Sequence, residues 1–386
     1  MTDLLQPFIG YIPASDFGRR VVGPPSVTLT DDQKAAATGD PLSFRQSAGR
    51  KAGCSSDVAR SWLGELLNDG VLLETGPGVV VYRQEAGDFA AQGVIADVSL
   101  DAYRAGGVKR HEKTIAKTQR KMAEYMRTTR LYGNPAVTAF PPKSEVEAAI
   151  NGHTSRKATS TFTTVDGIIH HLWHVGGDAA YELCRHIDTD LYITDGHHRL
   201  AAAALVASEE GHPEARIPVG VFSANEFRLR SFARCITDPE LDTTATITEL
   251  QRGFKLEEVA IDEAFPRSRY EFGVKIRDEY FRLRIPDDQI PTDLYGTLNT
   301  NLIQDLILGP VFGITHPRLD KRLRFVANLD DLDESCEKAD AWFLPFPLEL
   351  SDVMTIANSD RTMPAKSTWF APKLPSGLVI RPLDES

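Results

Sequence analysis

Five consecutive residues, Asp195-Gly196-His197-His198-Arg199, concentrate more chemistry than any other stretch of this chain. A guanidinium is a planar fork suited to phosphate oxygens. Two imidazoles are donors that a neighbouring anion keeps protonated. A carboxylate in such company serves as a base, as an orienter of a histidine, or as a ligand that reaches Mg²⁺ through water. Simple helix capping by Asp195 is the plain alternative, but a bare cap needs neither two histidines nor an arginine.

The flanking elements explain how such a group would be positioned. Tyr192-Ile193-Thr194 reads as a buried strand, and the apolar run from Leu200 reads as a buried helix beginning at His197 and ending near Ser208. The five residues between must turn sharply. Gly196 permits the bend and leaves space for a ligand atom. The helix that follows opens with unpaired N–H groups and a partial positive charge, which together stabilise an anion.

Other segments carry candidate groups. Lys109-Arg110-His111-Glu112-Lys113-Thr114 reads as the opening of a long helix ending near Arg130. In it Glu112 is placed to take a proton from an acceptor hydroxyl with His111 beside it, and Lys109, Arg110 and Lys113 to neutralise transferring oxygens. Lys366-Ser367-Thr368 offers a cation and two hydroxyls for phosphate, without the glycine-rich stretch of a Walker loop. His170-His171-x-x-His174 has the look of a metal cluster, yet no carboxylate is near in sequence, and we read these as surface histidines of a hairpin turning at Asp166-Gly167.

The wider pattern alternates strand and helix through the middle third, as in an α/β (mixed α+β) core. Strands are expected at Val79–Tyr82, Val94–Val98, Ala136–Phe140 and Ile217–Phe222, and helices at Ser56–Val71 and Ala179–Ile187. Three segments are expected: an N-terminal subdomain (1–90), a phosphate-binding core (91–240) and a C-terminal α+β subdomain (241–386). The helix–turn–strand order before residue 84 imitates a winged helix, but the would-be reading helix carries Glu65 and Asp69 and little positive charge beyond Arg60.

The chain also resembles the family called domain of unknown function 1015. Leu191-Tyr192-Ile193-Thr194-Asp195-Gly196-His197-His198-Arg199 is similar to its signature, and Gly107 to Thr114 with Arg120 to a second block. Met363-Pro364-Ala365-Lys366-Ser367-Thr368-Trp369-Phe370, with Pro372-Lys373-Leu374 and Gly377, is similar to its C-terminal block. Two departures stand out: Pro24-Pro25-Ser26-Val27 lacks an expected aromatic and acid, and Leu200 replaces a commoner tyrosine. The resemblance implies a ParB/sulfiredoxin-like core with N- and C-terminal elaborations, whose relatives hold nucleotide phosphates at the equivalent turn and include free-serine kinases and CTP-binding partition proteins.

Together these readings give an expected activity: a phosphotransferase that uses ADP or ATP, with Mg²⁺ at Asp195, on a small hydroxyl compound such as serine. The same site run backwards would be a phosphoserine phosphatase. Gly196, His198, Arg199, Lys109, Arg110, Thr114, Arg120, Lys366, Ser367 and Thr368 would hold phosphate, and Asp195, His197, His198, His111 and Glu112 would do the chemistry. The alternative is a ParB-type nucleotide-binding regulator without turnover. Sulfiredoxin-like redox chemistry needs a cysteine in the turn, where histidines stand instead.

Composition bounds the partners. The 386 residues are 42% hydrophobic and 25% charged, ordinary for a globular chain, and the formal net charge of −11 argues against general nucleic-acid binding. Cys54, Cys184, Cys235 and Cys336 are widely spaced and are expected as thiols in a reducing, cytoplasmic setting. No signal peptide or membrane-length apolar run is expected, and a homo-oligomer is compatible with the sequence.

Overall fold

A computed structural model describes residues 3–25, 29, 31–47, 55–212, 214–327, 332, 336–359, 361–364 and 366–383. Ser26, Val27, Cys54 and Ala365, named above, lie outside the described residues. The chain gathers into two compact units, one of Met1–Phe227 with Pro372–Ser386, the other of Arg228–Ala371. It is a mixed α/β architecture.

The first unit is built on a nine-stranded mixed sheet. In chain order its strands are β1 (Leu5–Gln6), β2 (Gly78–Ala86), β3 (Phe89–Ser99), β4 (Val108–Lys109), β5 (Ala136–Phe140), β6 (Ser160–Thr163), β7 (Ile169–Gly176), β8 (Leu191–Asp195) and β9 (Arg216–Ser223). In space they run β4-β8-β5-β9-β3-β2-β7-β6, with β1 added to β3. The β2–β3 hairpin turns at residues 86–89. The expected segment boundary at residue 90 therefore falls inside one hairpin of one sheet, and the residues on either side share a core.

Among the described residues, five helices of ten residues or more attend this unit: α1 (Ser56–Asn68), α2 (Ala116–Thr129), α3 (Ser144–Thr154), α4 (Gly177–His186) and α5 (His197–Glu209). The α5 sequence explains its place. Leu200, Ala201, Ala202, Ala203, Ala204, Val206 and Ala207 are all buried, so it is covered nearly all round. Small alanines let the helix approach its neighbours closely, and α2 packs along it. Strand β8 is buried over Leu191 to Thr194, as a central strand requires.

Helix α2 begins later than the sequence predicts. Val108–Lys109 pairs as a parallel strand with Leu191–Tyr192 of β8, and residues 110–115 form a loop before α2 opens at Ala116. Strand pairing overrides the helical reading of a short polar segment.

The second unit carries a six-stranded antiparallel sheet over its own apolar core of residues such as Phe272, Val274, Ile276, Leu283, Ile303 and Phe343. A hairpin at Arg277-Asp278 joins Glu271–Ile276 to Glu279–Arg284. The expectation of four thiols is corrected here: Cys235 and Cys336 form a disulfide, with Cα atoms 5.9 Å apart, inside the range a bridge spans. Cys184 is a buried thiol in the first unit, and burial pushes its pKa up to about 12.

Candidate functional site

The site assembles at one end of the first sheet because of strand direction. Strands β4 and β8 are parallel, so the loop after Lys109 and the turn after Asp195 leave the sheet at the same end. Strand β5 runs antiparallel to β8, which brings its entry, Asn134-Pro135, to that end as well. Three stretches distant in sequence thus converge without any of them signalling it alone.

The turn is tight. Gly196 is the N-cap of α5 with φ 97 and ψ 26, in the left-handed region that glycine tolerates. A Cβ at this position would stand 2.8 Å from the Ala136 Cβ and 2.8 Å from the Arg199 Nε. No side chain caps the start of α5.

The five signature residues divide their labour differently from the sequence reading. Arg199 is committed to the protein itself. Its Nη1 donates to the Asn134 carbonyl at 3.1 Å, to the Asn134 Oδ1 at 2.9 Å and to the Pro135 carbonyl at 2.5 Å, and its Nη2 donates to the Asp195 Oδ2 at 2.6 Å. Arg199 therefore braces the turn against the entry of β5. Asp195 is held from both sides, by Arg199 and by Lys373, whose Nζ lies 3.5 Å from Oδ1. Burial alone would raise the Asp195 pKa, but Arg199 and Lys373 hold it down to about 2. A carboxylate with a cation on each oxygen does not fit the expected Mg²⁺ role, because a third cation would meet two like charges.

The histidines are the distinctive element. His197 is 4% exposed, and its ring meets that of His111 edge-on with centroids 4.5 Å apart. Burial, and then the neighbouring His111, push the His197 pKa well below its ordinary value. His111 is likewise 4% exposed; burial lowers it to about 4, against a hydrogen bond to the Ile193 backbone that favours its charged form. Burial thus favours the neutral form of both rings in the absence of a bound anion. The Nε2 of His197 is buried and has no hydrogen-bond partner. A buried polar atom without a partner costs about 1–3 kcal/mol, so its retention points to a partner supplied from outside the chain. His198 turns the other way: its Nε2 accepts the Ile115 backbone N–H at 2.8 Å and so ties the 110–115 loop to the first turn of α5.

Glu112 lies half-buried in that loop, beside His111, and Thr114 directly precedes the tethered Ile115. The remaining candidates have other occupations. Lys109 pairs with Asp190 at 3.2 Å, Arg110 lies over the Tyr103 ring at 5.6 Å, and Arg120 is exposed on α2. Lys366, Ser367 and Thr368 belong to the second unit. There Lys366 stands 4.9 Å over the Phe232 ring, while Ser367 is buried and donates to the Thr300 hydroxyl at 3.1 Å and the Pro364 carbonyl at 2.6 Å. Lys373 and Asn134 are members of the site that the chemistry of the sequence did not reveal. Lys373 was visible only as part of the C-terminal block.

His170 overturns the reading of a surface hairpin. It is 2% exposed, its Nδ1 is 2.7 Å from the Tyr82 hydroxyl, and its Nε2 is 2.9 Å from the Thr164 hydroxyl. It packs with Phe162, and burial depresses its pKa to about 3. His171 lies on the opposite face, 3.2 Å from the Thr161 hydroxyl.

A family model described as protein of unknown function DUF1015 matches residues 5–306. The chain belongs to this family. No curated protein matches it. Among solved structures it is similar to SbnI with a C-terminal truncation from Staphylococcus aureus, at 10% identity and TM-score 0.40 over 73% of this chain and 85% of that one. It is also similar to a conserved hypothetical protein from Pyrococcus furiosus, at 15% identity and TM-score 0.34 over 74% and 93%. A free serine kinase variant in complex with ADP is similar at 14% identity and TM-score 0.36 over 74% and 92%. These are weak likenesses, and the geometry above stands without them.

Proposed function

We propose that this protein is a nucleotide-dependent phosphotransferase acting on a small hydroxyl substrate, serine kinase-like in one direction and phosphoserine phosphatase-like in the other. The observation that carries the reading is the buried, unpartnered Nε2 of His197 beside the uncapped start of α5. The local charge favours an anion: Arg199 and Lys373 outnumber Asp195, and the helix start adds about half a positive charge. In this reading the donor phosphates of ADP or ATP lie against the first amides of α5. His197 takes the tautomer with its proton on Nε2 and donates it to a phosphate oxygen. His111 fixes the His197 ring from its edge.

The transfer itself breaks the bond between the terminal phosphorus and its bridging oxygen and forms one from phosphorus to the acceptor oxygen. The hydroxyl proton passes to the Glu112 carboxylate, and the electron pair of the broken bond leaves with the nucleotide. Positioning and charge neutralisation supply most of the catalysis in such reactions. Arg199 and Lys373 act by holding Asp195 and the turn.

Incubating the full chain with ATP, ADP, CTP or pyrophosphate and a panel of hydroxyl amino acids, read by ³¹P NMR, tests the proposal. A new phosphate-ester resonance that requires both donor and acceptor is the expected result. Saturable nucleotide binding with no ester in any combination would leave a non-catalytic regulator and overturn the enzymatic reading.

A further inference from the structure

A second feature of the first unit has no part in that reading. A cavity of about 750 Å³ lies at the far end of α5, walled by Ala203, Val206 and Ala207, by Phe8, and by the start of β9. None of the turn residues 195–199 and none of the 110–115 loop line it. Ten residues of helix separate His197 from Ala207, roughly 15 Å along the axis. The volume is that of a site for one small organic molecule.

Its wall carries Arg130, Arg216 and Arg381 against Asp97, Glu210 and Glu214, but the hydrogen bonding around Asp97 is incomplete. Asp97 is 2% exposed and lines the cavity. Its Oδ2 is bonded by the Arg381 guanidinium, while its Oδ1 is buried with no hydrogen-bond partner. Arg216 also lines the cavity and feels the Asp97 charge, but its own hydrogen bonds go to neutral backbone carbonyls, Asp3 at 2.6 Å and Leu4 at 3.5 Å. Arg130, a third lining arginine, is matched by Glu210, its Nη1 lying 2.8 and 2.9 Å from the two carboxylate oxygens. The guanidinium groups of Arg381 and Arg216 thus lie by the buried Asp97 carboxylate, Arg216 also feeling the Asp3 charge, and Asp97 has an acceptor oxygen to spare. The spare oxygen and the incompletely paired guanidinium are both costly in a wall that mixes apolar side chains with Glu210, His212 and Glu214.

One ligand chemistry repairs both. We infer that this cavity is a second small-molecule site, for an organic acid that carries a hydroxyl or ammonium donor next to its carboxylate and an apolar body behind it. The donor meets the Asp97 Oδ1, the carboxylate meets the Arg216 charge, and the apolar body lies along Ala203, Val206, Ala207 and Phe8.

The probes 3-phenyllactate, 3-phenylpropionate and 2-phenylethanol separate the three requirements, since the second lacks the donor and the third lacks the carboxylate. Titration calorimetry on the full chain should show saturable binding of 3-phenyllactate, with each truncated probe weaker by about tenfold or more. Ala207→Leu, which narrows the wall, should weaken 3-phenyllactate by about tenfold while leaving the far-ultraviolet circular dichroism unchanged. If that variant does not fold, Ala203→Val reads the same wall. Absence of saturable 3-phenyllactate binding, equal binding of all three probes, or wild-type affinity in a folded wall variant would each overturn the assignment.

Discussion

His197 and His170 are both buried histidines in the same unit, and they differ in what their nitrogens meet. His170 is saturated, with a hydroxyl at each nitrogen, Tyr82 on one side and Thr164 on the other. His197 is nearly as buried, yet its Nε2 has no partner. The first arrangement is complete within the chain and so contributes to folding. The second is incomplete, and completing it is the task of a ligand. Burial of a polar group does not separate structure from function; the account of its hydrogen bonds does.

Glu112→Gln tests the open side most severely. Turnover should fall by about 10²–10⁴-fold, as expected for loss of a general base, with nucleotide affinity preserved. Normal turnover would remove Glu112 from the chemistry. Gly196→Ala comes next: the left-handed backbone and the 2.8 Å contact with Ala136 should cost about 2 kcal/mol of stability and abolish nucleotide binding. A variant that binds normally would show that the turn does not seat the phosphates.

The two histidines should then respond in opposite senses. His170→Phe should lower stability by about 1 kcal/mol, because it removes two hydrogen bonds while the Tyr82 and Thr164 hydroxyls keep Gln84 and Asp166, and nucleotide affinity should not change. His197→Leu should leave the denaturation midpoint almost where it was and weaken nucleotide binding by about tenfold. If both variants behaved alike in the two assays, the distinction between saturated and open histidines would fail.

A further effect is one of pH. His111 and His170 are held neutral by burial in the folded chain, at about 4 and about 3, against an ordinary value of 6.5. Below 6.5 the unfolded chain takes up protons that the folded chain refuses. Stability should therefore decline as pH falls from about 6.5 and level off only as the folded rings protonate near 4 and 3. Urea midpoints across this range check the slope, and His170→Phe should make it shallower.

Much of this was legible in the sequence, for local reasons. A run of apolar residues, a glycine and an alanine-rich run locate strand, turn and helix without tertiary information, and β8 and α5 lie within about a residue of where the pattern puts them. Arg199 was legible as a member of the site but not in its role, because its partners, Asn134 and Pro135, arrive from a strand 60 residues earlier through sheet pairing. His170 was misread because adjacent histidines look alike in sequence, whereas the strand buries His170 and Leu172 on one face and leaves Ile169 and His171 half-exposed on the other. The start of α2 was misread because residues 108–109 are a strand only by virtue of β8 beside them.

The hydrogen bond from the Ile115 main chain to the His198 ring couples two stretches of backbone through one proton. That amide is a built-in sensor. Its deuterium exchange is slow only while the imidazole stays in place, so a molecule arriving at the first turn of α5 would be felt, before any product forms, as a change in the protection of a single peptide group 83 positions away in the chain.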